Sequence, residues 1–137
     1  MSATTATIPK YASLVTTRGY SVQAVPVFLP KESDPSTDKF IFRYEITIRN
    51  EAGAAAQLVS RRWIITDADG DKSLVEGPGV CGVQPTFMPD DVHKYSSFCP
   101  LTTPWGTMEG AFKMLTAQGE SFEIMVGRFY LVAPQRP

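Results

Sequence analysis

Gly77-Pro78-Gly79-Val80-Cys81-Gly82 carries the GxGxxG spacing of a dinucleotide-binding turn, and the residues immediately after it decide the fold. Glycines at that spacing hold a pyrophosphate because they open a helix whose free N–H groups and positive dipole end face the phosphates. No helix can form here. Pro78 lies inside the run, and Pro85 and Pro89 interrupt the residues after it. The glycines therefore lie in a crossing between strands, and the surrounding chain is expected to be all-β.

Working outward supports that expectation. Upstream, Gln57–Thr66 alternates, with Val59, Trp63 and Ile65 on one side and Leu58 and Ile64 on the other. It ends in Asp67-Ala68-Asp69-Gly70, whose Asp-Gly pair signals a tight hairpin into a short returning strand near Lys72–Glu76. Further back, Phe40, Phe42, Tyr44, Ile46 and Ile48 alternate with Ile41, Arg43, Glu45, Thr47 and Arg49, which describes a central strand with one wet face. Tyr20–Leu29 is rich in β-formers, but Pro26 has no N–H for a ladder and directs the segment to a sheet edge. The polar, proline-punctuated run Pro30–Asp38 reads as a loop, as does Asn50–Ala56. Downstream, Val92–Cys99, Met108–Thr116 and Ser121–Val132 read as strands, the last two joined by a turn at Gln118-Gly119. About seven strands with a turn roughly every ten residues describe a β-sandwich of two antiparallel sheets. The expected organisation is a flexible N-terminal segment over residues 1–18, one domain over 19–134 and a tail over 135–137.

Composition bounds the function. The chain has 137 residues, enough for one domain that folds without staples. With 13 basic and 14 acidic residues its net charge is -1, which disfavours nucleic acid as the main partner. Charges, prolines or glycines cut every apolar stretch short of a membrane span. Met1-Ser2-Ala3-Thr4-Thr5 lacks the basic-then-apolar pattern of a secretory signal, so a cytoplasmic location is expected. Cys81 and Cys99 are too few for a disulfide framework and are expected to be free, mostly buried thiols.

Candidate chemistry is sparse. Asp67, Asp69 and Asp71 have the spacing that opens an EF-hand, but Lys72 and Pro78 stand where that loop requires Gly and Glu, so they read as a solvated turn. His93 is the single histidine; with Cys81 and Cys99 it matches no zinc spacing, and with Ser96 and Ser97 it lacks a nucleophile elbow. No catalytic set, metal site or cofactor is expected. Strand alternation sends Arg61 and Trp63 to one face and Arg62 to the other. Trp105, between Pro104 and Gly106 in the irregular run Cys99–Gly110, reads as a contact residue, with Thr103 beside it.

The runs Phe42–Ile48, Ser60–Asp67, Gly77–Pro85, Tyr95–Ser97 and Thr103–Gly110 together resemble the ApaG family over roughly Gly19–Pro134. The resemblance implies a fibronectin type III/immunoglobulin-like sandwich without established catalytic residues. The domain occurs alone in bacteria, where it is associated with cobalt tolerance and magnesium efflux. In eukaryotes it is fused to F-box proteins and to a polymerase-interacting protein, where it is taken to mediate protein contacts. Arg62 stands where many relatives have histidine, and Phe98 where they have glycine. The expectation is a non-catalytic binding domain, monomeric or weakly dimeric, that meets an unidentified protein partner through the loops Gly77–Pro89 and Pro100–Gly110. The rival reading is nucleotide or pyrophosphate binding by Gly77, Gly79 and Gly82 with Arg61 or Arg62.

Overall fold

Residues 8–134 are described by a computed structural model and form nine strands. These are β1 (Ser13–Thr17), β2 (Tyr20–Phe28), β3 (Phe40–Asn50), β4 (Ala56–Asp67), β5 (Lys72–Pro78), β6 (Thr86–Phe87), β7 (Val92–Leu101), β8 (Trp105–Thr116) and β9 (Ser121–Val132). One sheet has the order β1-β2-β3-β7; the other runs β5-β4-β8-β9, with β6 also paired to β4. Every pairing is antiparallel. The all-β sandwich expected from the sequence is thus the architecture, with β1 and β6 beyond the strands expected. Among the described residues the helical content is one 3-10 turn at Pro35–Thr37, inside the expected loop, and no helix is long and apolar enough to cross a membrane.

The alternation of β3 translates directly into packing. Phe40, Phe42, Tyr44, Ile46 and Ile48 are buried, and they meet Trp63, Phe112, Phe129 and Leu131 from the opposite sheet. Trp63 is the hub, with edge-on contacts to Tyr44 (5.4 Å between ring centroids), Phe112 (5.9 Å) and Phe129 (6.0 Å).

Three expectations are corrected. The flexible reading of residues 1–18 fails for Ser13–Thr17, which pair residue by residue with Ala24–Tyr20, while residues 1–7 of that segment and the tail 135–137 lie outside the described residues. β2 is consequently an inner strand and not an edge. Pro26 is tolerated because β1 ends opposite Ala24, so at Pro26 the strand has a neighbour on the β3 side alone. Finally, Leu58 and Trp63 share the core face despite their odd separation, because the ladder to β8 slips at Val59. One extra residue in a strand reverses every side chain beyond it.

The two long sides of the sandwich differ. On one, β9 packs across β1 and β2. Ser13 Oγ donates to Gly127 O (2.7 Å), Tyr130 N–H donates to Tyr11 O (2.9 Å), and the missing Cβ of Gly127 leaves room for Val15. On the other, β5 and β7 terminate their sheets, and no comparable packing joins them among the described residues.

Candidate binding site

The glycine run resolves into a strand end followed by a two-residue turn. Val80 and Val83 exchange backbone hydrogen bonds (2.8 and 3.0 Å), and Cys81 and Gly82 between them both have positive φ, 47° and 81°, as a primed hairpin turn demands. Gly79 also has positive φ (60°), and a Cβ there would stand 2.2 Å from Val83 O. Its N–H is spent on Val59 O (2.8 Å), the carbonyl of the bulged residue, which also accepts from Gln84 Nε2 (2.8 Å). The N–H groups of Gly79, Val80 and Val83 are therefore donated to protein carbonyls, a geometry opposed to the phosphate cradle that the spacing evokes.

Gly77 is glycine for a different reason. Its φ is ordinary, but a Cβ would lie 2.9 Å from Arg61 Nη2, because the guanidinium is laid over β5 at this position. Arg61 Nη1 donates to Pro78 O (2.9 Å) and Gly79 O (3.0 Å), so the loop turns carbonyls towards this arginine. Arg62 lies on the other face, as expected, and pairs with Glu123 (2.9 Å) across β8. The structure brings Arg61 to Gly77 and Gly79, and separates Arg62 from them.

Trp105 and Thr103 are elsewhere. Trp105 opens β8 instead of lying in a loop, and the irregular segment shrinks to Thr102–Pro104. The expected single contact surface is corrected accordingly: Pro78 is level with Ser60 and Gly106 with Asp67, seven residues apart along β4, which is roughly 23 Å at about 3.3 Å per residue. Trp105 is exposed on the outer sheet face, in a shallow depression with Thr107, Tyr130 and the Arg128–Glu109 ion pair (2.9 Å). Thr103 is buried and structural. Its Oγ1 donates to Trp105 O (2.8 Å) and accepts from Ala68 N–H (3.1 Å), tying the β7–β8 connection to the aspartate turn.

The concave feature that sequence reasoning missed lies between the unjoined edges. A cleft of about 380 Å³ is lined by Tyr44, Trp63 and Met108 from the core, Ser73 and Val75 of β5, Ser97, Phe98 and Pro100 of β7, and Arg61. Val75, level with Trp63 on the core-facing side of β5, is 40% exposed at its mouth, and Phe98, level with Arg43 on the outward face of β7, is 63% exposed at its rim. Arg61 contributes the charge. Burial raises the Tyr44 hydroxyl above its ordinary value and pushes the Cys99 thiol up to about 11, so both are neutral near pH 7. Trp63, beneath the cleft, keeps its indole N–H without a hydrogen-bond partner among the described residues. The available sequence signal was the adjacent apolar pair Leu74-Val75 in a short polar strand, where period-two reading assigns one of the two to the core; both are exposed.

The remaining candidates have structural contacts of their own. Asp67, Asp69 and Asp71 do cluster, with ligand atoms within 4.8 Å of one another. Asp67 Oδ1, however, accepts the N–H groups of Asp69 (2.9 Å) and Asp71 (3.0 Å) and so serves the hairpin. His93 is half-buried against the Phe87 and Tyr95 rings. Both cysteines are free; Cys99 is buried as expected, while Cys81 is exposed, because the turn carries it out of the sandwich.

Comparison with known proteins agrees with this fold. A family model for the ApaG domain matches residues 30–116. The chain is 46% identical over 115 residues to Protein ApaG of Bdellovibrio bacteriovorus, covering 84% of this chain and 91% of that one. It is 44% identical over 118 residues to Protein ApaG of Rhizobium etli, covering 86% and 91%. The crystal structure of the putative ApaA protein from Bordetella pertussis superposes with a TM-score of 0.81 at 37% identity, covering 93% of this chain and 98% of that one.

Proposed function

The chain belongs to the ApaG domain family, and on that footing we propose that it is a non-catalytic binding domain whose partner is a protein. One observation carries the reading. The side of the sandwich that β9 does not close holds a cleft with Val75 at its mouth and the exposed Phe98 ring on its rim, where a folded chain ordinarily buries such side chains. Apolar residues flanked by polar strand termini are the anatomy of a contact site, and a rigid ring such as Phe98 supplies area at low entropic cost. The domain acts in the cytoplasm as a monomer or weak homodimer, and a contribution to divalent-cation homeostasis runs through the partner, not through a bound ion.

Nucleotide binding is the weaker reading, since the N–H groups of Gly79, Val80 and Val83 are donated to protein carbonyls and do not form a phosphate cradle beside Arg61. The test is affinity capture from the native host with wild-type bait, Phe98→Asp and Trp105→Ala. Loss of a specific partner with Phe98→Asp supports the reading. Identical captured sets for all three baits refute it, and a heat signal from calorimetric titration with ATP or pyrophosphate at high micromolar concentration favours the rival.

A further inference from the structure

We propose that the cleft and the free edge of β5 form a strand-addition site for an extended peptide bearing an apolar residue and an acidic residue two positions apart. The inference rests on the binding-domain reading and names the chemistry of the partner.

Three features fix that chemistry. First, β5 ends its sheet, so the outward edge of Lys72–Pro78 offers backbone donors and acceptors to another strand. The edge of β7 is less open: Pro100 lacks an N–H, and Cys81 Sγ approaches Ser96 O (3.3 Å) from the turn. Second, the core-facing residues of β5 are Ser73, Val75 and Gly77, paired with Ile65, Trp63 and Arg61. A strand added beyond β5 would set its own inward residues level with these, about 4.8 Å away. One opposite Val75 would enter the cleft between Val75 and the Ser97–Pro100 stretch of β7. Third, the absent side chain of Gly77 lets the Arg61 guanidinium lie across β5 towards that edge. Arg61 Nη1 is used within the loop, whereas Nη2 and Nε carry no hydrogen bond among the described residues, and neither ion pair found among those residues involves this arginine. The inward residue opposite Gly77 thus meets a cation without a carboxylate. Because inward positions recur every second residue, the acid and the apolar side chain stand two apart.

The experiment selects displayed random ten-residue peptides against the full chain, then titrates a synthesised winner. Trp105→Phe leaves Trp63 as the sole tryptophan, a fluorescence reporter beneath the cleft. Expected are enriched sequences with the apolar–x–acid spacing, a change in Trp63 emission on binding, and affinity that falls with salt. Arg61→Met should weaken binding roughly tenfold to a hundredfold, the worth of a charge-assisted contact, and Arg62→Met less than about twofold. Since Arg61→Met also releases the glycine turn, Val75→Asp provides an independent arm: Val75 is largely exposed, and an acid there competes for Arg61. Failure to enrich peptides, enrichment without the acid, or binding indifferent to both Arg61→Met and Val75→Asp overturns the proposal. If enrichment fails while Phe98→Asp still abolishes partner capture, the extended-peptide chemistry falls and the binding-domain reading stands. If both fail, both fall.

Discussion

Alanine at each of the three motif glycines should produce three different outcomes. Gly82→Ala meets no atom within 4 Å and bears the strain of a positive φ alone, about 1–2 kcal/mol. Gly79→Ala carries the same strain and drives a Cβ to 2.2 Å from Val83 O, a backbone atom that cannot rotate aside. Relief requires breaking the Val80–Val83 pair, which raises the loss to roughly 3 kcal/mol or more. Gly77→Ala has ordinary φ and confronts the movable end of Arg61 at 2.9 Å, so stability changes by less than about 1 kcal/mol while the guanidinium is displaced from β5. Thermal and urea unfolding of the three variants should order them Gly79, Gly82, Gly77 from most to least damaged. At a few degrees per kcal/mol, Gly79→Ala melts about 10 °C lower than wild type. Equal melting temperatures for Gly79→Ala and Gly82→Ala, or Gly77→Ala as the worst of the three, would refute the structural account of this motif.

Thr103→Val strands two backbone groups and should cost about 1–3 kcal/mol in urea unfolding, whereas Trp105→Ala, on the exposed face, should cost less than about 1 kcal/mol. Arg62→Met removes an ion pair that is 39% and 46% exposed and should change stability by less than about 1 kcal/mol. A thiol reagent at pH 8 should label Cys81 in the folded protein and reach Cys99 only in denaturant, as absorbance titration of Cys81→Ser against wild type would show. The buried Cys99 thiol holds its proton up to about 11, against 9.0 when unfolded. The unfolded chain therefore ionises first, and stability falls as pH rises from about 9 to 11, with a shallower slope in Cys99→Ala.

What the sequence revealed and what it concealed divide along a physical line. β3 was legible because one face is buried along its whole length, so its residues print the pleat directly. β4 was legible only to Val59; beyond it the bulge reverses the faces, and a bulge leaves no mark in composition. The same slip leaves the Val59 carbonyl free to anchor the glycine turn, so the irregularity that defeated the pattern also built the loop. Pro26 was read as directing its strand to a sheet edge, because it has no N–H for a ladder. Its strand is nevertheless inner, because a five-residue neighbour covers only the half that has no proline.

The candidate site was hidden for a related reason. A cleft between two sheet edges is defined by what the strands leave uncovered, and that depends on which side β9 closes, a choice no local pattern encodes. Arg61 and Arg62 illustrate the consequence. Alternation assigned them correctly to opposite faces, yet one meets Glu123 on the solvent-facing side of the sheet and the other meets a glycine at an open edge. Adjacent, chemically identical side chains thereby become an ordinary surface pair and a cation poised beside unpaired backbone. The glycine that seemed to announce a phosphate instead clears the path for that cation, and the absent methyl group at Gly77 is what turns an edge strand into a charged one.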